Sequence, residues 1–157
     1  MNPAQSLALR DLLSGQPIAS LGTLHDGEPF VSMVPFALLP GGPDFLIHVS
    51  QMSAHTQDML SSPPVSLLVI APPNPDVPPQ AQARVTVQGL ASRLDESDPV
   101  HAAAQAAYLA RFPQSAPMFE LDFSLFAIRP RMLRFVGGFG QALSLTPEMF
   151  AGVLSKA

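Results

Sequence analysis

The chain has 157 residues, 47% of them hydrophobic and 13% charged, which suits a single domain with a buried core over residues 1–157. A net charge of −4 argues against a basic nucleic-acid-binding surface, and the lack of cysteine excludes disulfides, thiolate metal ligands and a cysteine nucleophile. The N-terminus shows no signal-peptide pattern and no apolar run approaches the roughly 18 residues of a membrane span, so a cytoplasmic protein without nucleic-acid or membrane partners is predicted.

The first half of the chain predicts a helix followed by antiparallel strands. Apolar residues at helical spacing over 7–13 follow Pro3, which favours a short amphipathic helix. Strands are predicted over 18–24 and 29–39, because the Asp26-Gly27 pair between them favours the positive φ angles of a tight hairpin turn. Two further predicted strands, over 45–50 and 65–70, enclose a short helical segment.

The second half continues the β pattern. Five of the eighteen prolines lie within residues 71–83, so an exposed loop is predicted there. Alternating polar and apolar residues predict a strand over 84–91, and Asp98-Pro99 opens a predicted helix that ends at Arg111. The final elements are predicted as strands over 121–125 and 126–136, bent around residues 129–131, and a helix opened by Thr146-Pro147-Glu148. Six or seven short strands with few helices predict a mainly β fold, an antiparallel barrel.

A cluster of small donors and one histidine lies between the third predicted strand and the helix after it. The cluster contains Ser50, Ser53, His55 and Thr56. Helix N-termini carry unpaired N–H groups and a partial positive charge, so this arrangement suits a phosphate or carboxylate. The alternative is that Ser53 simply caps a helix beginning near Ala54.

Other chemistries find little support in the sequence. The four histidines (His25, His48, His55 and His101) show no HxxxH or HExxH spacing, and no metal site is predicted. No GxSxG motif presents a nucleophilic serine, and the catalytic residues are not identified. The Gly137-Gly138-Phe139-Gly140 run lacks the strand–GxGxxG–helix context of a phosphate-binding loop.

Six segments, in this order, resemble the pyridoxamine-phosphate-oxidase-like FMN-binding split-barrel family, and within it the haem-utilisation branch. They are residues 19–24, 29–36, 53–56, 64–68, 84–89 and 134–140. The resemblance implies a six-stranded antiparallel split β-barrel that forms a homodimer, with FMN in a cleft between subunits. A homodimer also fits the small number of charged residues. Haem-degrading relatives carry an additional C-terminal domain, which this chain is expected to lack.

The resemblance also implies site residues and an activity. Ser32, Met33, Val34 and Pro35 would run beside the flavin ring, and Arg84 would lie near it. The ribityl phosphate would be held by the donor cluster, namely Ser50, Ser53, His55 and Thr56, with Gln57 following. The function implied is that of an FMN-dependent oxidoreductase acting on a small molecule not identified by the sequence.

Two alternatives remain open. Relatives carry a basic residue and then Asn after His-Thr, whereas this chain has Gln57 and Asp58, which removes a cation and adds a carboxylate near the predicted phosphate. One alternative is therefore a cofactor-less dimeric barrel that acts through protein contacts. The other is a haem-binding or haem-utilisation protein, in which a histidine ligates iron and three arginines meet the propionates. Those arginines are Arg129, Arg131 and Arg134.

Overall fold

The computed structural model describes residues 1–155, which form four helices and eight strands. The helices are α1 (Pro3–Gly15), α2 (Ala54–Ser61), α3 (His101–Arg111) and α4 (Pro147–Leu154). The strands are β1 (Ile18–His25), β2 (Glu28–Pro35), β3 (Ala37–Leu38), β4 (Phe45–Ser50), β5 (Pro64–Ile70), β6 (Arg84–Arg93), β7 (Phe123–Val136) and β8 (Ala142–Leu145). Short 3₁₀ segments occupy Pro79–Ala81 and Pro113–Glu120.

All eight strands belong to one antiparallel sheet. Its order is β2-β1-β5-β6-β7-β4-β3, with β8 added beside β7. The long strand β7 pairs with two strands along one edge: residues 123–128 pair with β4, and residues 133–136 pair with β8. The sheet curls until β2 approaches β4, which gives a split, incompletely closed barrel.

The core fills the inside of the curled sheet. Inward-facing side chains alternate along the strands, as with Leu21, Leu67 and Val87, and are fully buried. Helices α1 and α4 close one end of the barrel with their apolar faces. Helix α3 instead covers the outer face of β4 and β7 and forms a second, smaller core around Tyr108.

The fold class predicted from the sequence is confirmed, with differences in detail. Asp26 and Gly27 both adopt positive φ, at 51° and 81°, as the hairpin turn requires. The sheet has eight strands rather than six, because two short ones, β3 and β8, add to its edges. The bend predicted at residues 129–131 is present as a β-bulge in β7: Gln88 pairs with Met132 and Gly89 with Pro130, so Arg131 is the extra residue. The two strands predicted over 121–136 form the single strand β7. Over residues 1–155, no helix combines the length and apolarity needed to cross a bilayer.

Candidate functional site

Helix α2 packs against the β1–β2 hairpin, and the polar side chains between them form the β2–α2 seam. We define the seam by Thr23, His25, Ser32, His55 and Asp58. Thr23 and His25 lie two residues apart on β1 and Ser32 lies on β2, while the other two side chains come from α2. The seam brings together Ser32 and His55, which the sequence placed in one site from segments 23 residues apart.

Asp58 is the buried anchor of the seam, with 5% of its surface exposed. Its Oδ2 accepts a hydrogen bond of 2.8 Å from Thr23 Oγ1, and its Oδ1 lies 2.7 Å from His25 Nδ1. Burial alone would raise the pKa of Asp58, but the hydrogen bonds from His25 and Thr23 outweigh it and hold that pKa below its usual value. The same hydrogen bond and charge raise the pKa of His25. Both oxygens of the Asp58 carboxylate are therefore hydrogen-bonded to side chains of β1.

His55 is half-buried at the N-terminal turn of α2. Its Nδ1 lies 3.1 Å from Ser32 Oγ, and its Nε2 has no hydrogen-bond partner among residues 1–155. Desolvation lowers the pKa of His55 despite the opposing charge of Asp58, so the ring is neutral at pH 7. A neutral imidazole with one nitrogen held and the other unengaged is the form in which histidine binds metals.

The other donors of the predicted anion site are largely engaged within the protein. Ser50 Oγ donates to Asp122 Oδ2 at 2.8 Å. Thr56, with 1% exposure, donates its hydroxyl to the Ser50 carbonyl at 2.6 Å, and Gln57 Nε2 donates to the Gln51 carbonyl at 2.7 Å. Ser53 occupies the N-cap position of α2 without a side-chain capping bond. These side chains build the turn that positions His55.

The remaining predicted flavin contacts are spread over the sheet. Val34 is a core residue with 2% exposure, whereas Met33 is 59% exposed. Pro35 ends β2 and pairs with Ile18. Arg84 lies three strands away from β2 in the sheet order and binds the proline-rich loop through the carbonyls of residues 80 and 82. No group of three or more metal-ligating side chains is found within residues 1–155.

The three arginines proposed for propionates do not act as one cluster. Arg129 lies 3.6 Å from Asp44, and Arg134 donates to Ser144 Oγ at 3.2 Å. Arg131 lies at the bulged part of the sheet, beside Gln88 and Gly89. Arg129 and Arg134 therefore have separate local partners.

The roles of His25 and Thr23 were missed by sequence reasoning, which treated both as parts of a hairpin. The sequence did contain two indications of these roles. Residues two apart on a strand face the same side, and Asp58 stands where the relatives carry Asn. What the sequence does not give is that α2 packs against this end of β1.

His48 lies outside the seam, in the second core. It is 6% exposed, stacks on Phe119 at a centroid distance of 3.8 Å, and its buried Nδ1 has no hydrogen-bond partner among the described residues. Burial lowers the pKa of His48 to about 4. The ring therefore serves as a neutral packing element against α3 and the 3₁₀ segment.

His48 is expected to make the protein acid-labile. Above pH ~6.5 the His48 ring is neutral in the folded and in the unfolded protein. As the pH falls from there through about 4, the unfolded chain binds a proton that the folded chain does not, so the folded state loses stability. The loss is on the order of 3 kcal/mol, at about 1.4 kcal/mol per pKa unit. His48→Phe keeps the stacking and is expected to show a smaller decrease in urea midpoint between pH 7 and pH 4.5 than the wild-type protein. An equal decrease in both proteins would exclude His48 as the cause.

The curled antiparallel sheet, with helices at one end and a polar seam along its hairpin, defines a split-barrel protein. The family model for pyridoxamine 5'-phosphate oxidase matches residues 7–137, and the chain belongs to this family. The resemblance noted in the sequence is thereby confirmed.

Several relatives are named for haem. The chain is 34% identical over 137 residues to the chloroplastic non-canonical heme oxygenase HOZ of Arabidopsis thaliana, covering 85% of this chain and 40% of that protein. It is 31% identical to a heme binding protein from Mycobacterium smegmatis, with a TM-score of 0.83 over 97% of this chain and 62% of the other. The chain thus spans less than two thirds of either relative.

A more distant structure shows the fold alone. HutZ, a heme storage protein from Vibrio cholerae, is 22% identical, with a TM-score of 0.73 over 83% of this chain and 93% of the other. The same barrel is therefore found in a chain of nearly matching extent.

Proposed function

We propose that this protein binds haem at the β2–α2 seam, with His55 Nε2 as the axial ligand of the iron. The observation that carries the proposal is the state of His55: half-buried, neutral, with Nδ1 held by Ser32 and Nε2 unengaged. The names of the plant and mycobacterial relatives support haem as the ligand.

The Ser32–His55 contact fits a ligand histidine. Metal-binding imidazoles generally donate their second N–H to a nearby acceptor, which fixes the tautomer and aims the other nitrogen. Ser32 Oγ is such an acceptor when the proton resides on Nδ1. Asp58 stabilises the seam, because its hydrogen bonds to Thr23 and His25 hold α2 against β1.

Apolar side chains are exposed on the face of β2 opposite to Ser32 and at the turn before α2. Val31 and Met33 on β2 are 69% and 59% exposed, and Met52, just before α2, is 89% exposed. An exposed apolar group of this kind marks a ligand or subunit contact. We propose that a second copy of the chain covers this face and that haem lies in the resulting cleft. Haem, when bound, supplies a redox-active iron.

FMN binding is the second candidate, because one feature favours it. The backbone N–H groups of Ala54 and His55 begin α2 and have no hydrogen-bond acceptor among the described residues, so they face outward as an anion site would require. However, residues 50–57 contain no lysine or arginine, and desolvation lowers the pKa of His55, which disfavours the charged form of its ring. A phosphate, which carries about two negative charges, is therefore poorly matched to a segment that has no lysine or arginine. An FMN-dependent oxidoreductase is the activity that this candidate implies.

Two titrations of the purified protein separate the candidates. We expect haem to give a saturable shift of the Soret band at one haem per chain, while FMN fluorescence is unchanged at the same protein concentrations. Quenching of FMN with no response to haem would instead favour the flavin candidate. If neither ligand bound, the cofactor-less dimer would remain as the candidate, and sedimentation analysis of the same sample would detect the dimer.

A further inference from the structure

A cavity with no link to the seam lies between α1, α4 and the loop joining β3 to β4. Its volume is about 740 Å³, within the range typical of small-molecule sites. Most of its lining is apolar, from Leu13, Leu38, Leu39 and Leu154. None of the seam residues lines it, and among its described lining residues there is no histidine to hold an iron.

Two guanidinium groups are the charged groups of this cavity. Arg111, from the end of α3, uses Nη2 to bind the carbonyls of Leu13, Ser14 and Gln16, and its guanidinium carbon lies 4.7 Å from the centre of the Phe36 ring. Arg10 uses Nη1 to bind the Val153 carbonyl at 3.1 Å. The other nitrogens of both groups have no hydrogen-bond acceptor within residues 1–155.

No side-chain carboxylate among the described lining residues balances these charges. The described lining residues include no Asp or Glu, although the chain as a whole carries twelve acidic residues and a net charge of −4. Each arginine is held in place by backbone carbonyls, so its remaining N–H groups are oriented before a ligand arrives. Fixed guanidinium groups with free donors favour carboxylates, which they bind through two parallel hydrogen bonds.

We propose that this cavity binds an anionic amphiphile, a carboxylate attached to an alkyl chain. The carboxylate is held by Arg10 and Arg111, and the alkyl chain lies along the leucine side chains. The charge complementarity selects the anion, and the apolar lining selects the hydrocarbon. This site is independent of haem or flavin binding at the seam.

Gly152 on α4 provides a way to fill the cavity without disturbing the core. A Cβ built at this lining residue meets no atom within 4 Å. A larger side chain is therefore accommodated in open space, and replacing glycine within a helix also removes a cost of about 1 kcal/mol. Gly152→Phe occupies the cavity, while Gly152→Ala changes the helix in the same way and adds only one methyl group.

The experiment is calorimetric titration of the full chain with laurate, below its micelle concentration. We expect the wild-type protein to bind one laurate per chain, and Gly152→Ala to keep this affinity. The affinity for laurate is expected to fall at least tenfold in Gly152→Phe and about tenfold in Arg10→Gln. Dodecyltrimethylammonium, which has the same alkyl length but a cationic head, is expected not to bind. The urea midpoint of each variant confirms that it is folded.

Three results would overturn the proposal. Laurate failing to bind the wild-type protein excludes the ligand class. Unchanged laurate affinity in Gly152→Phe places the binding elsewhere, for example on the exposed apolar face of β2. Equal binding of laurate and the cationic amphiphile shows that the arginines do not select the head group.

Discussion

His55→Ala is expected to lower the affinity for haem by at least about tenfold, or ~1.4 kcal/mol, and to abolish the spectral signature of imidazole ligation. The reason is that His55 is the one seam residue that is neutral and retains an unengaged ring nitrogen. His25, the other seam histidine, is engaged with Asp58 and has a raised pKa. Haem titration followed at the Soret band measures the effect.

Two matched variants make the result interpretable. His101→Ala removes a histidine at the start of α3, outside the seam, and is expected to leave haem binding unchanged. Ser32→Ala keeps the iron ligand but removes the partner of Nδ1, so we expect a loss of about tenfold in affinity with imidazole ligation retained. If His55→Ala bound haem with the wild-type affinity and spectrum, the ligand would have to lie elsewhere.

Gly89→Ala is expected to destabilise the protein by about 3 kcal/mol, since it overpacks a site at which backbone must move. A Cβ at Gly89 would lie 2.5 Å from the Arg129 carbonyl oxygen and 3.2 Å from Ile128 Cγ2. The register shift between Gln88 and Gly89 brings β6 this close to β7. The midpoint of urea unfolding, measured with the slope of the transition, gives the change in the free energy of unfolding.

Gly22→Ala is the control for this effect, because Gly22 also lies within a strand of the same sheet. A Cβ there meets its nearest atom, the Ser66 carbonyl oxygen, at 3.6 Å, which is an ordinary van der Waals distance. We expect Gly22→Ala to leave the unfolding midpoint close to that of the wild-type protein. Similar midpoints for the two variants would show that the close approach at Gly89 relaxes without cost.

Much of the fold could be predicted from the sequence where a local rule applied. Asp26-Gly27 specified the hairpin because positive φ is required at both central positions. Thr146 before Pro147 specified the last helix, and its side chain does accept the capping bond from the Met149 N–H. Such features depend on a few adjacent residues, and for this reason a single sequence is sufficient to find them.

Features that depend on distant contacts were not accessible in the same way. The sequence predicted a bend at residues 129–131, and β7 does carry a bulge at Arg131. That this bulge lies opposite Gln88 and Gly89 is set by the pairing of β7 with β6. His48 is buried in the second core, where its ring stacks on Phe119 and its Nδ1 is unpartnered among the described residues. These outcomes are set by which elements pack together.

The candidate site was predicted in part for the same reason. The family resemblance brought Ser32 and His55 into one site, and their 3.1 Å contact agrees with that expectation. It treated Asp58 as a charge close to a phosphate, whereas the carboxylate binds Thr23 and His25 on β1. The partners of a buried charge cannot be inferred from its position in the sequence, because they come from another element.

Ligation of haem iron by His55 is the central claim, and resonance Raman spectroscopy of the reduced haem complex tests it most directly. With nitrogen-15-labelled histidine in the wild-type protein, the iron–imidazole stretching band is expected to shift, and the band is expected to be absent from His55→Ala and present in His101→Ala. A haem complex whose spectrum shows no isotope-sensitive band, or the same band in His55→Ala, would contradict the account.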